Sequence, residues 1–110
     1  MEVKTIETDV GVVIKLEGEM MLGYSANDFH EAIENAMEKN KKKIVIDLSE
    51  VKFISSWGIG MLMYGYTTTT NYGGKFRLAA VSEKILEVFR KIKIDNFFEQ
   101  YTSVEEALSN

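Results

Sequence analysis

Hydrophobic and polar positions along the chain change repeatedly between the two-residue period of a β-strand and the 3.6-residue period of an α-helix. Strand-like patterns cover residues 3–8, 12–16, 43–48 and 76–81, and residues 97–101 are a further candidate. Helical spacing follows Ser25, Ser56 or Trp57, Ser82 and Ser103. Serine favours the N-cap position, so these residues predict where the helices begin. The predicted order is β-β-α-β-α-β-α, followed by the candidate strand and a short last helix.

This order of elements predicts a mixed, mostly parallel β-sheet with about four helices. A turn at residues 9–11, Asp-Val-Gly, joins the first two strands as an antiparallel hairpin. The later strands alternate with helices, so their connections require parallel pairing through right-handed crossovers. Residues 43–48 form a β-branched apolar run, which is expected at the centre of the sheet and covered on both faces. Since no linker, repeat or low-complexity segment interrupts the chain, residues 1–110 predict a single α/β sandwich domain.

The composition excludes several kinds of chemistry. The chain has 110 residues and a formal net charge of −4, with no Cys and a single His, His30. The lack of Cys excludes disulfides and thiolate ligands, and one His leaves no cluster for a transition metal, so we expect no metal and no cofactor. A Ser-His-acid triad would depend on His30 alone, which argues against an enzyme. The mild acidity argues against direct binding of nucleic acid.

The sequence does not predict export or membrane insertion. Its first residues lack the basic start and the apolar run of a signal peptide. The longest apolar stretch, residues 57–66, is about half the ~20 residues that span a bilayer. We therefore expect a cytoplasmic protein with no membrane segment.

Residues 53–60, Phe-Ile-Ser-Ser-Trp-Gly-Ile-Gly, form the most informative segment, a predicted strand-to-helix turn with two hydroxyls and two glycines. The N–H groups at a helix start favour anions, so this turn is a candidate anion or nucleotide site and a place that tolerates a phosphoserine. In the simpler alternative, Ser55 or Ser56 is only the N-cap. The lysine of a P-loop and the third glycine of a dinucleotide fingerprint are absent. A hydrolase with a serine nucleophile here would lack a nearby general base.

Other residues leave alternatives open. Trp57 either anchors a partner or folds back onto the core. Residues 20–22, Met-Met-Leu, form either a buried loop or an adhesive rim. His30 follows the apolar Phe29, so it is expected on the surface, away from the buried stripe of its helix. Residues 67–70 are all Thr, whose helix propensity is poor, and they are expected in a solvated, frayed last turn.

Segments spread over essentially the whole chain resemble the STAS domain of bacterial anti-sigma factor antagonists. These segments are residues 16–19, 44–49, 51–60, 73–78, 94–98 and 101–108. The resemblance implies a STAS-type sandwich that works by partner switching. The unphosphorylated domain would bind an anti-sigma factor with a kinase-type ATPase fold. Phosphorylation of one serine by that kinase would end the binding, and a phosphatase would reset the cycle.

The resemblance also implies the residues of the site. The family pattern at the switch is Asp-Ser-Ser/Thr-Gly, and its phosphate acceptor corresponds to Ser56. Here Ser55 replaces the Asp, Trp57 replaces the Ser/Thr, and Met21 stands where the family has a second acid. These changes lower the local negative charge and make the contact surface more apolar. The predicted site is phosphorylation at Ser56 with a partner surface formed by Met21, Leu22, Ser55, Trp57, Gly58 and Met61. A phosphorylation-independent STAS adaptor of a transporter, polysaccharide or sensory complex is the alternative.

Overall fold

The computed structural model describes residues 2–18 and 23–110, with side chains from residue 26 onward in the second segment. The strands are β1 Glu2–Glu7, β2 Val12–Glu17, β3 Lys43–Glu50, β4 Lys75–Ala79 and β5 Glu99–Tyr101. The helices are α1 Gly23–Glu38, α2 Ser56–Asn71, α3 Glu83–Lys91 and α4 Val104–Ser109. The candidate strand near residues 97–101 is therefore present as β5.

One sheet contains the five described strands in the order β1-β2-β3-β4-β5. β1 and β2 pair antiparallel, and the remaining neighbours pair parallel. The predicted mixed α/β fold, its N-terminal hairpin and the central position of residues 43–48 are confirmed. In the sheet's register Ile14 lies beside Ile46, which lies beside Leu78, and all three are fully buried. This row fixes one apolar face of the sheet.

The two faces of the sheet carry cores of very different size. The larger core joins that row to residues from α1, α2 and α3, including Phe29, Leu62 and Phe89. The smaller core packs α4 through Ala107 against residues of the opposite face, among them Val45. Strand side chains alternate between faces, so each buried strand contributes to both cores. The elements that carry the candidate site, α1 and α2, therefore lie on the thickly covered face.

Serine N-caps begin three of the helices. Oγ of Ser55, Ser82 and Ser103 accepts a hydrogen bond from the backbone N–H three residues later, at 3.3, 3.3 and 3.1 Å. Each bond satisfies one of the N–H groups that a helix start leaves without an intrahelical partner. The predicted N-cap of the first helix is wrong, because α1 begins at Gly23 and already contains Ser25.

Cationic side chains hold the C-terminal helix to the sheet. The guanidinium of Arg77, a residue 6% exposed, donates from Nη1 to the carbonyl of Ala107 at 2.9 Å. Its Nε lies 3.3 Å from a carboxylate oxygen of Glu99. Nζ of Lys43 donates to the carbonyl of Leu108 at 2.7 Å. Cations at the last carbonyls of a helix stabilise it, so these contacts stabilise α4 on the smaller core.

The threonine run ends differently from the prediction. α2 continues through Asn71, and Thr69 is fully buried. The expectation of a solvated last turn is therefore wrong at Thr69. Its methyl group lies beside Gly74, where an added Cβ would come within 2.8 Å of Thr69 Cγ2. Tertiary packing, which outweighs weak propensity, orders this end of the helix.

Candidate functional site

The start of α2 presents one serine to the outside and uses its neighbour as a cap. Ser55 has extended backbone angles, φ −102° and ψ 176°, and its Oγ accepts from the N–H of Gly58. Ser56 is the first helical residue and is exposed. The N-cap alternative is thus confirmed for Ser55, which leaves Ser56 in the first turn without a capping role.

The electrostatic setting of Ser56 favours an anion. The first turn of α2 contains no acidic residue, so the partial positive charge of the helix start is not offset within the turn. A phosphate at this position would sit among backbone N–H groups that favour negative charge. Phosphorylation at Ser56 stays a prediction, and the cap on this helix is made by the neighbouring Ser55.

Trp57 is exposed, so it does not fold back onto the core, and its role as a partner anchor stays a prediction. Its residue surface is 65% accessible, more than that of the other large hydrophobic residues described as exposed. Gly58 and Met61, which the sequence also placed on the partner surface, are buried. Partner contact through Gly58 or Met61 stays a prediction, and Met61 also lies in the lining of the groove described next. Met21 and Leu22 lie outside the described residues.

A groove of about 430 Å³ opens between α1 and α2, toward the N-terminal ends of the two helices. Its walls are mainly apolar, and Ser56 lies in its lining. The lining residues are Ala26, His30, Ser56, Trp57, Gly60, Met61 and Tyr64. The structure therefore brings together three residues of the predicted site, Ser56, Trp57 and Met61, with four that sequence reasoning missed. Four-residue spacing was the available signal, since Ala26 and His30 share one helix face, as do Ser56, Gly60 and Tyr64.

His30 forms the inner aromatic wall of the groove. Its ring lies against the ring of Tyr64, with centroids 3.7 Å apart and planes tilted by 30°. Its Nε2 is buried and has no hydrogen-bond partner among the residues that the structure describes. Burial lowers the pKa of His30, and the nearby carboxylate of Glu34 only partly opposes this, so the imidazole is neutral at pH 7. His30 is only partly buried and lies off the fully buried stripe of α1, as expected, but its ring packs against Tyr64 of the neighbouring helix.

The groove and the start of α2 offer the chemistry of binding and of modification by another protein. They combine an exposed hydroxyl, an exposed indole, a neutral imidazole and apolar walls. In the described part of the chain, no group of three or more His, Cys, Asp or Glu side chains is placed to hold a metal ion. Within those same residues, no helix is both long and apolar enough to cross a membrane.

The family model for the STAS domain matches residues 1–107. The chain belongs to the STAS domain family. Its sequence is similar to that of a protein of Thermotoga neapolitana named as a candidate anti-sigma factor antagonist, with 28% identity over 72 residues. That alignment covers 66% of this chain and 64% of the relative, and a Thermotoga maritima protein gives the same values. This chain thus spans less than two thirds of the length of these relatives.

Solved structures share the fold over nearly the whole chain. An anti-sigma-factor antagonist STAS domain protein of Planctomyces limnophilus superposes with a TM-score of 0.83 at 26% identity, covering 97% of this chain and 95% of that one. The phosphorylated cell fate determinant SpoIIAA of Bacillus gives a TM-score of 0.73 at 21% identity, covering 98% and 97%. At 21% identity, the likeness to SpoIIAA shows a shared fold and nothing more.

Proposed function

We propose that this STAS domain is an anti-sigma factor antagonist controlled by phosphorylation of Ser56. In its unphosphorylated form it binds an anti-sigma factor with a kinase-type ATPase fold, and that kinase phosphorylates Ser56 and ends the binding. A phosphatase restores the binding form. The observation that carries the proposal is the exposure of Ser56 at the first position of α2, directly beside the exposed Trp57. We further propose that residues 1–110 form one domain that acts in the cytoplasm.

Chemistry at this position supports a switch. The Ser56 oxygen would form a bond with the γ-phosphorus of kinase-bound ATP, ADP would leave, and the hydroxyl proton would pass to a base of the kinase. The product adds a charge of about −1.5 to −2 in the first turn of α2. The Ser55 cap on Gly58 remains, so the helix keeps its start. A partner docked on the indole of Trp57 would then face a dianion, which strongly disfavours an apolar contact.

Named relatives support the same role. The similar Thermotoga proteins are named as candidate anti-sigma factor antagonists. Among the proteins that share the fold, SpoIIAA has been solved in unphosphorylated and phosphorylated forms. A STAS sandwich of this shape therefore accommodates phosphorylation.

The phosphorylation test uses the two neighbouring serines as a matched pair. The protein is incubated with its cognate anti-sigma kinase and ATP, and the intact mass is measured. We expect the unaltered protein and Ser55→Ala to gain one phosphoryl group, and Ser56→Ala to gain none. Ser55→Ala should also lose about 1 kcal/mol of stability, because it removes the N-cap. Phosphorylation of Ser56→Ala, or none of the unaltered protein, would contradict the proposed switch.

The binding test separates docking from modification. Trp57→Ala should weaken binding to the anti-sigma factor by more than about tenfold, as expected for a central aromatic anchor. Phe53→Ala is the control, because Phe53 is also exposed, at 53%, but lies outside the groove lining. Equal affinity of the Trp57→Ala variant would remove the indole from the proposed interface.

A second function is favoured by one specific departure from the family pattern. The exposed Trp57 stands where the family has Ser or Thr, and it gives the surface an apolar anchor that needs no phosphate control. A phosphorylation-independent adaptor of a transporter, polysaccharide or sensory complex would use such a surface. Equal recovery of its partner by Ser56→Ala and Ser56→Asp would favour the adaptor over the switch.

A further inference from the structure

The face of the sheet that carries the smaller core, called here the smaller-core face, is only partly covered. Three helices pack on the opposite face, whereas this face carries α4, a helix of six residues that lies mainly on β3, β4 and β5. Val13 of β2 belongs to the smaller core, and Ile6 of β1 is its partner in the antiparallel register, so Ile6 lies on the same face. Ile6 is 55% exposed. In the described part of the chain, the β1 side of this face is therefore open.

A groove of about 630 Å³ separates α4 from β1 on the smaller-core face. Apolar side chains line it from both sides, Ile6 from β1 and the pair Val104 and Leu108 from α4. Val104 and Leu108 are four residues apart, so they form one stripe along the helix, called here the α4 stripe. They pack against the smaller core yet stay partly exposed, so the same stripe also faces the groove.

The two walls of the groove carry opposite charges. Lys15 lines the strand side, with Lys4 as its neighbour in the antiparallel register, and Glu105 lines the helix side. Lys4 is paired with Glu17, but within the described residues neither Lys15 nor Glu105 forms an ion pair. A surface with one basic wall and one acidic wall is complementary to a second copy of itself.

The direction of α4 places these charges at one level along the strands. Lys15 lies in one row across the sheet with Asp47 and Tyr101. α4 begins shortly after Tyr101, so its Glu105 lies near this row, and its last carbonyls reach Nζ of Lys43 at the other end of β3. A two-fold axis parallel to the strands keeps every residue at its level. It therefore brings Glu105 of one copy to the level of Lys15 of the other.

We propose that the smaller-core face is the interface of a symmetric dimer, in which α4 of each copy lies in the groove of the other, over β1 and β2. The α4 stripe covers Ile6 of the second copy, and Glu105 pairs with Lys15 of the second copy. Each pair occurs twice, because a two-fold interface is self-complementary. α2 packs on the opposite face, so Ser56 of both copies stays exposed. The dimer goes beyond the proposed partner switch and does not depend on it.

Charge reversal tests which residues meet across the interface. In sedimentation velocity, the unaltered protein should form more dimer as its concentration rises from about 1 µM to 1 mM, the affinity range of small interfaces. Lys15→Glu and Glu105→Lys should each stay monomeric, because like charges then face each other. An equimolar mixture of the two variants should form a heterodimer, since each Glu of one copy then meets a Lys of the other. A monomeric unaltered protein, or a monomeric mixture of two folded variants, would overturn the proposal.

A pair of isoleucines tests the apolar contact. Ile6→Lys should weaken the dimer by more than about tenfold, because it places a charge under the partner helix. Ile92→Lys is the matched control, since Ile92 is 49% exposed but follows α3 on the opposite face, and it should leave the dimer unchanged. Undiminished dimerisation of Ile6→Lys would remove this face from the interface. Phosphorylation of Ser56 is measured on the same variants, so failure of the switch and failure of the dimer remain distinguishable.

Discussion

The two halves of α2 use glycine for opposite reasons. At Gly65, an added Cβ would come within 2.7 Å of Phe76 Cε2 and 3.2 Å of Phe29 Cε2. At Gly60, in the first half of the same helix, it would meet nothing within 4 Å. The packed core therefore requires the later glycine, whereas the earlier one only leaves the groove open. The same residue type in one helix is thus required by packing at one end and exposed without a packing constraint at the other.

Two buried polar side-chain atoms lack a partner within the described part of the chain. One is Nε2 of His30 on α1, which faces the first half of α2, and the other is Oγ1 of Thr69 in the second half. Thr69 is fully buried, whereas His30 lines a groove that opens to the surface. Both unpartnered atoms are shielded from solvent, so the two residues differ in how much of the rest of the side chain is buried and not in access to the unpartnered atom.

The largest expected effect comes from adding one methyl group at each glycine. Gly65→Ala should lower the free energy of unfolding by about 1–2 kcal/mol, because overpacking outweighs the better helix propensity of alanine. The Phe76 ring cannot move aside cheaply, since it is buried and has aromatic neighbours in Tyr66 and Phe98. Gly60→Ala, the matched control, should raise the same quantity by about 0.5–1 kcal/mol. Denaturant titration measures both changes, and shifts of the same sign would break the contrast between the two halves.

A smaller effect is expected from removing the buried hydroxyl of the second half. Thr69→Val replaces the hydroxyl by a methyl group of similar size and should stabilise the protein by about 1 kcal/mol, because Oγ1 has no hydrogen bond to lose. Thr69→Ser is the control, because it keeps the hydroxyl and loses the methyl group, so it should destabilise. Thermal unfolding of the unaltered protein, Thr69→Val and Thr69→Ser measures these changes in stability. A destabilised Thr69→Val would mean that a bonded water satisfies the hydroxyl, and the second half would no longer count as sealed.

The elements could be predicted because their signals are local. A continuous β-branched apolar run identified β3 and its central position in the sheet, and serines followed by helical spacing identified the starts of α2, α3 and α4. The order of strands and helices then predicted the parallel pairing. Local chemistry failed at Thr69, where packing on the sheet orders residues of poor helix propensity.

The site could be predicted only along α2. Ser56 and Trp57 are neighbours in the sequence, and the family resemblance points to them. His30 joins them because α1 packs beside α2, a contact between segments far apart in the chain. Its position next to Phe29 suggested a surface residue, since the sequence of α1 does not show that a second helix covers that side. The groove is therefore a property of the packing between helices and not of either helix alone.

The smallest expected effect is a pH dependence of the protein's stability that comes from His30, which faces the first half of α2. Burial lowers its pKa below the ordinary value of 6.5, so the folded protein binds fewer protons at this ring than the unfolded chain does. Stability from the neutral ring is complete above pH 6.5 and is lost as the pH falls through the lowered folded pKa. The unaltered protein should therefore lose more stability on acidification than His30→Phe does. The lowered pKa values of Glu7 and Glu17, which pair with Lys39 and Lys4, are common to both proteins and cancel in the difference.

Thr69→Val should keep the pH dependence of the unaltered protein, because its change lies in the other half and titrates nothing. Unfolding curves measured above and below the ordinary histidine pKa give the comparison directly. If His30→Phe loses as much stability as the unaltered protein, the imidazole is solvated in the folded state. In that case the two halves of α2 differ in their glycines and not in a buried imidazole beside one of them.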